Sequence, residues 1–132
     1  MPIVVDASAI APLALKDEDA TLAEDALRAI VAEGGIVPAL FWYEIRNVLL
    51  HGESRSRTTA KRVGEFLADL QALPLTVDFP PDSDAVLNYA RRHSLTVYDA
   101  TYLELTKRTN SRLASHDQAL RAAVIAEGGQ LI

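Results

Sequence analysis

Short apolar runs alternate with longer amphipathic stretches along the whole chain. The runs PIVV, GIV, LPLTV, RLAS and QLI have the length and the aliphatic composition of buried strands. Between them, apolar residues recur every three or four positions, which is the spacing of one helical face. We predict helices over about 22–31, 41–49, 63–70, 82–93, 94–105 and 118–126. Such alternation is typical of an α/β domain in which helices cover both faces of a parallel sheet.

Glycine and proline residues indicate where several of these elements end. Gly34 and Gly35 suit the end of the first long helix. Pro38 suits the start of the next helix and Gly52 its end. We predict this second helix to be largely buried, because apolar residues are spread around most of it: Phe41, Trp42, Ile45, Val48 and Leu49. We expect its aromatic residues, Phe41 and Trp42, in the core or at an interface.

The composition favours one folded domain over residues 1–132, because 49% of the residues are hydrophobic. The chain has no run of about eighteen apolar residues and no basic, apolar N-terminal leader, so we expect a cytoplasmic protein without a membrane segment. Cysteine is absent, so any metal ion has oxygen or histidine ligands. The formal net charge of −5 disfavours nucleic-acid binding through an overall positive field.

Four of the eighteen acidic residues lie outside the polar runs that are typical of solvated surface. Asp6 and Asp117 follow predicted strands, whereas Glu44 and Asp99 lie in apolar helical stretches. Each has a structural explanation too: Asp6 could bind turn amides, Asp99 and Asp117 could cap helices, and Glu44 could be partly exposed. Asp78, after the third predicted strand, is a rival for the same role.

Taken together, the four acids indicate a metal site. Functional residues of open α/β sheets lie beyond the carboxyl ends of the strands, where these acids could meet. Carboxylates that converge without a basic partner repel one another, so a divalent cation is the natural compensation. Oxygen ligands favour Mg²⁺ or Mn²⁺, and Mg²⁺ combines a few carboxylates with phosphate oxygens. The cluster therefore favours phosphodiester chemistry.

Four sequence blocks carry a family resemblance: VVDASA, PALFWYEIRNVL, LTVYDATYLEL and RLASHDQAL. They resemble, in order and spacing, the acidic blocks of PIN-domain ribonucleases, specifically VapC-type toxins of toxin–antitoxin pairs. The resemblance spans nearly the whole chain and implies a parallel sheet of strand order 3-2-1-4-5. It implies that Asp6, Asp99 and Asp117 hold the cation and that Glu44 completes the site directly or through a water. Asp78 has no counterpart in the family.

The resemblance also implies supporting residues and partners. Ser8, Asn47 and Ser115 match family positions near the acids, although Ser115 stands where the family usually has threonine. We expect the two serine hydroxyls to orient the carboxylates. The implied activity is that of a Mg²⁺- or Mn²⁺-dependent endoribonuclease whose products carry 5′-phosphate and 3′-hydroxyl ends. The implied enzyme is a homodimer that a small VapB-like antitoxin blocks.

Two further features leave alternatives open. The segment SRSRTTAKR contains four basic residues that could meet RNA phosphates, although a solvated surface explains them equally well: Arg55, Arg57, Lys61 and Arg62. A PIN-like module that binds RNA or a partner without cleaving it is the alternative function, and the intact set of four acids disfavours it. An aspartate-phosphorylated domain is disfavoured as well, because such phosphatases need an aspartate where this chain has Ser8.

Overall fold

Five short strands form one sheet in the computed structural model, which describes all 132 residues. The strands are β1 (Ile3–Val5), β2 (Gly35–Pro38), β3 (Leu75–Asp78), β4 (Arg112–Ala114) and β5 (Gln130–Leu131). Their spatial order is β3-β2-β1-β4-β5, and all neighbouring pairs are parallel. The predicted α/β class and strand order are therefore confirmed.

Seven α-helices connect the strands. They are α1 (Ala7–Ile10), α2 (Thr21–Glu33), α3 (Phe41–Ser54), α4 (Ala60–Gln71), α5 (Ser83–His93), α6 (Val97–Arg108) and α7 (Gln118–Ala126). A 3-10 helix over Ala11–Ala14 directly follows α1. None of the helices has both the length and the apolar character needed to cross a bilayer.

Strand β1 lies at the centre of the core. Ile3, Val4 and Val5 have no exposed surface. Because successive side chains of a strand point to opposite faces, helices must cover both faces of the sheet at this point. Val5 is in register with Ala114 of β4, so the residues that follow these two strands, beginning with Asp6, lie side by side at the carboxyl edge of the sheet.

Helix α3 begins where the predicted range 41–49 begins, but the two residues expected to mark its ends do not mark them. Pro38 is the last residue of β2, and the helix begins at Phe41. Proline is tolerated there because β1 pairs with β2 only at Gly35 and Ile36. The missing N–H of Pro38 therefore removes no hydrogen bond between these two strands. Gly52 lies inside the helix, where an added Cβ would be 2.5 Å from Leu15 Cδ2. Glycine therefore allows the close approach of Leu15 at this position and does not end the helix.

Helix α3 is also less buried than predicted. Phe41, Ile45 and Leu49 form a buried face at a spacing of four residues. Tyr43 and Leu50 are 77% and 62% exposed, so apolar residues occupy the outer face as well. The two aromatic residues agree better with the expectation that they lie in the core. Phe41 is fully buried, and the partly buried Trp42 packs edge-on against it.

Candidate active site

A cleft of about 660 Å³ opens at the carboxyl edge of the sheet. All four predicted acids line it: Asp6, Glu44, Asp99 and Asp117. The rival Asp78, the last residue of β3, does not line it. Its carboxylate instead accepts two hydrogen bonds from the Arg108 guanidinium, at 2.6 and 3.2 Å. The structure thus brings the chosen acids together and separates the rival from them.

Asp6 is buried at the start of α1. Its Oδ1 accepts hydrogen bonds from the Ser8 hydroxyl at 2.6 Å and from the Ala9 amide at 3.1 Å, so it caps the helix. Its Oδ2 accepts a hydrogen bond from the Ser115 hydroxyl. Burial raises the pKa of Asp6, and these hydrogen bonds oppose the rise. The expected contact with turn amides is real, and it coexists with a position in the cleft.

Two buried or half-buried serines join the segment after β1 to the segment after β4. The Ser115 hydroxyl, which donates to Asp6, accepts the amide of Asp117 at 3.0 Å. The Ser8 hydroxyl, which also donates to Asp6, accepts the amide of His116 at 2.9 Å. Each hydroxyl therefore holds the Asp6 carboxylate against the loop that carries Asp117. The orienting role predicted for the serines remains a prediction, and these are the contacts that it requires.

Asp117 is the N-cap of α7, as its structural explanation predicts. Its Oδ1 accepts the amide of Leu120 at 2.8 Å. A capping carboxylate has a second oxygen, and Asp117 lines the cleft while it caps. Capping therefore does not compete with a role in the site.

Asp99 lies in the first turn of α6 and not in the apolar surroundings that its sequence suggests. Val97 and Tyr98 are 50% and 64% exposed, and Asp99 is half-buried, because this turn lies at the surface. Thr96 caps α6 by accepting the amide of Asp99 at 3.1 Å, so the prediction that Asp99 caps the helix is wrong. Burial and then the charge of Asp117 raise the pKa of Asp99. The helix-capping explanation for this carboxylate is thereby removed.

Glu44 faces the cleft from the first turn of α3 and is half-buried, as expected. Its Oε1 accepts a hydrogen bond from the Tyr102 hydroxyl at 2.6 Å. Burial raises the pKa of Glu44, and the bond from Tyr102 opposes the rise. Sequence analysis missed Tyr102, which is 1% exposed. The available signal was its position three residues after Asp99, which places both on one face of α6.

None of the four acids forms an ion pair, although acids elsewhere do, among them Glu18, Glu33, Glu104 and Glu127. After burial, the acids raise one another's pKa: Asp117 acts on Asp6 and Asp99, and Asp6 acts on Glu44. Negative charges that converge without a basic partner are those that a divalent cation compensates.

The donor atoms of the cleft fit Mg²⁺ or Mn²⁺, because they are carboxylate oxygens. As the side chains are oriented, however, no group of three or more His, Asp and Glu residues is placed to hold a metal ion. Asp6 is held by two hydroxyls and an amide, and Glu44 is held by Tyr102. The ligand set of Asp6, Asp99 and Asp117 therefore stays a prediction, supported by donor chemistry and not by coordination geometry.

The remaining candidates fall into two groups. Asn47 lines the cleft one turn after Glu44 on α3, and Arg55 and Arg57 line it as well. The other two basic candidates do not line the cleft. Lys61 Nζ lies 3.9 Å from Glu65 Oε1 on α4, and the Arg62 guanidinium donates to the Leu13 carbonyl. Only part of the predicted basic segment therefore belongs to the cleft.

The family model of the PIN domain matches residues 3–125. The chain belongs to the PIN domain family. PIN domains are typically nucleases. This PIN domain shares its fold with PAE2754 from Pyrobaculum aerophilum, at a TM-score of 0.66 and 22% identity over 93% of this chain and 84% of that chain. It is also similar in fold to the sarcin-ricin loop cleaving toxin VapC20 from Mycobacterium tuberculosis.

The TM-score to VapC20 is 0.61, at 16% identity over 92% of this chain and 94% of that chain. At these identities both likenesses concern the fold of the PIN domain. No curated protein matches the sequence. The resemblance to PIN domains inferred from the four sequence blocks is confirmed by the family match.

Proposed function

We propose that this PIN domain, taken as one domain over residues 1–132, is a Mg²⁺- or Mn²⁺-dependent endoribonuclease. The observation that carries the proposal is the convergence of four acids from four separate segments in one cleft, none of them in an ion pair. Such a site suits hydrolysis of a phosphodiester bond, because a divalent cation there would bind phosphate oxygens as well as carboxylates.

The proposed roles of the four acids follow the family resemblance, and the contacts of the residues around them are compatible with these roles. Asp6, Asp99 and Asp117 would hold the cation, and Glu44 would complete the site directly or through a water. When bound, the cation supplies a water of lowered pKa and offsets charge on the phosphate oxygens. Ser8 and Ser115 hold Asp6 against the loop after β4, and Tyr102 holds Glu44. The proposed products carry 5′-phosphate and 3′-hydroxyl ends.

The proposed setting is a cytoplasmic type II toxin–antitoxin pair, in which a VapB-like antitoxin blocks a homodimeric toxin. The similarity of fold to the toxin VapC20 supports this setting. Induced expression should arrest growth, and Asp99→Asn should abolish the arrest. Growth that continues at full rate with abundant wild-type protein would contradict the toxin proposal.

Cleavage of structured RNA tests the enzyme directly. Purified protein should cut with Mg²⁺ or Mn²⁺ and stop when a chelator is added, and sequencing of the RNA ends should show the proposed termini. Activity that persists through exhaustive chelation would rule out the metal-dependent mechanism.

A non-cleaving PIN-like module that binds RNA or a partner is the second candidate. The observation that favours it is that no three acids are placed to hold an ion. It predicts no new RNA ends with either metal, whether or not RNA binds, so the same cleavage experiment separates the two functions.

A further inference from the structure

One face of α3 lines the cleft along the length of the helix. The lining residues recur at intervals of three and four: Glu44, Asn47, Val48, His51, Gly52 and Arg55. From Glu44 to Arg55 the helix advances by about 16 Å at 1.5 Å per residue. The cleft therefore extends far beyond the cluster of acids.

The charge of this face changes sign along the helix. Glu44 lies at one end, whereas Arg55 lies at the other, where it is exposed and forms no ion pair. The other cleft arginine, Arg57, is paired with Glu18. Arg55 is therefore the cleft arginine whose charge is available to an anion.

Close packing at Gly52 brings a further basic residue, Lys16, to the far end of the cleft, ahead of the acidic residues Asp17, Glu18 and Asp19. An added Cβ at Gly52 would be 2.5 Å from Leu15 Cδ2, so α3 lies directly against the segment that contains Leu15. The next residue, Lys16, donates its amide to the Arg57 carbonyl at 2.9 Å. The Lys16 side chain is exposed and forms no ion pair.

A second cavity, of about 280 Å³, adjoins the cleft at this end. The two share Leu15 and Arg57. The second cavity is lined by Lys16, Arg57 and Arg62 and by no acidic residue. Arg57 is paired with Glu18, so Lys16 and Arg62 are the cations of the second cavity that form no ion pair and can attract an anionic ligand.

We propose that the cleft and the second cavity form one path for the phosphate backbone of an RNA strand. The reacting phosphate lies at the four acids, and phosphates further along the strand pass Arg55 and then reach Lys16. The acidic end alone repels RNA, and the basic end supplies the attraction that the acids lack. The path rests on RNA as the proposed substrate and does not require that the RNA is cut.

Binding measured without cleavage tests the path. The Asp99→Asn protein in chelator is titrated into a fluorescent single-stranded oligoribonucleotide at several salt concentrations. Lys16→Gln and Arg55→Gln, each added to this protein, should weaken binding several-fold and reduce the slope of log K against log salt by about 0.7. The matched control is Arg91→Gln on α5, which is exposed and lines neither cavity, and it should change neither quantity. If the two path variants bind like the control, or no RNA binds at all, the path is wrong.

Oligonucleotide length tests the order of the contacts. Shortening the RNA from one end should remove the effect of Lys16→Gln first and that of Arg55→Gln only in still shorter RNAs. Loss of both effects at one length, or in the reverse order, would overturn the path.

Cleavage kinetics separate this inference from the proposed function. In the otherwise wild-type enzyme, Lys16→Gln should raise KM and leave kcat unchanged, because it removes binding shared by ground state and transition state. A protein that binds as described and never cuts would disprove the nuclease and leave the path intact. A protein that cuts equally well with and without Lys16 and Arg55 would disprove the path alone.

Discussion

Helix α6 carries acids on two nearly opposite sides, and the rest of the protein treats them differently. Asp99 and Glu104 are about 140° apart around the helix at 100° per residue. On the cleft side, Asp99 has no basic partner. On the other side, Glu104 accepts a hydrogen bond from Arg108 Nε at 2.5 Å, and the same guanidinium binds Asp78.

Burial by itself therefore does not distinguish a functional acid from a structural one. The side chain of Glu104 is 3% exposed, and without Arg108 it would be a buried charge that costs several kcal/mol. Asp99 is less buried and has no such compensation. The distinguishing property is the absence of a basic side chain beside Asp99. It identifies the cleft side of α6 as the candidate for chemistry.

The largest expected effect is on cleavage. Asp99→Asn should lower the rate by about three orders of magnitude, the upper end of what loss of one electrostatic group costs. Asp78→Asn is the matched control, because it removes a charge of the same sign from β3 that is paired with Arg108 of α6, and it should cleave normally. Single-turnover cleavage of one RNA by both variants measures this. An essential Asp78 and a dispensable Asp99 would reverse the assignment of the two sides.

The next largest effect is a loss of stability when the ion pair between Arg108 and Glu104 is broken. Arg108→Met leaves the Glu104 carboxylate without its basic partner and should lower the free energy of unfolding by about 2–3 kcal/mol. This loss is smaller than the loss expected when a fully buried ion pair is broken, because the Arg108 side chain is 40% exposed. This corresponds to a fall in Tm of about 10 °C. Cleavage at a temperature well below Tm should be unaffected.

A double variant is the control for the Arg108 prediction. Glu104→Gln combined with Arg108→Met removes both charges and should recover part of the lost stability. If the double variant is as unstable as Arg108→Met, the loss comes from packing of the arginine side chain and not from the orphaned carboxylate.

A smaller effect is expected at Tyr102, whose hydroxyl positions Glu44. Tyr102→Phe should reduce kcat by about tenfold, the scale of losses at residues that orient a metal site, and change stability by about 1 kcal/mol at most. Tyr98→Phe on the same helix is the control, because Tyr98 is 64% exposed and does not line the cleft. Equal activity of the two variants would contradict the positioning role.

The smallest effect is a change in stability when the charge of Asp99, on the cleft side of α6, is removed. In chelator near neutral pH, Asp99→Asn should match or exceed the wild type by up to about 1 kcal/mol, because it relieves repulsion from Asp117 and Asp6. Mg²⁺ should stabilise the wild type and not the variant. Melting curves of both proteins, with chelator and with Mg²⁺, measure this. A variant that is clearly less stable in chelator, together with no effect of Mg²⁺ on either protein, would make Asp99 a structural residue.

The pH dependence of metal-free stability follows from the same charges. The pKa values of Asp6, Glu44 and Asp99 are raised in the folded protein, so the folded state binds protons more tightly than the unfolded chain. The stability that these groups contribute is complete below their unfolded values, near pH 4, and is lost as pH rises through their folded values. Urea unfolding in chelator between about pH 4 and 7 should show this loss, smaller in Asp99→Asn. An increase of stability with pH that is identical in both proteins would contradict the repulsion.

Regular periodicity made most of the fold predictable. The strands and helices follow local patterns, and Asp6, Glu44, Asp99 and Asp117 could be chosen because an acid beside an apolar run is visible in the sequence. The meeting of Asp6 and Asp117 follows from the parallel pairing of β1 and β4, which places the residues after these strands at one edge.

Contacts between distant side chains were not predictable. The hydrogen bond from Tyr102 to Glu44 depends on a single hydroxyl of an otherwise apolar core residue. The ion pair that distinguishes Asp78 joins residues thirty positions apart, and no local pattern indicates it. Gly52 was misinterpreted because its role depends on Leu15, whose approach is set by tertiary packing.

The hydrogen bond between Ser115 and Asp6 also has a consequence for synthesis of the chain. It joins residues 109 positions apart, and β1 pairs with β4 through the same stretch. Because a ribosome releases the chain from its N-terminus onwards, Asp6 emerges long before the residues that complete its surroundings. A nascent chain that ends before Arg112 lacks β4, Ser115, Asp117 and with them one wall of the cleft, so the cleft can assemble only after most of the domain has been translated.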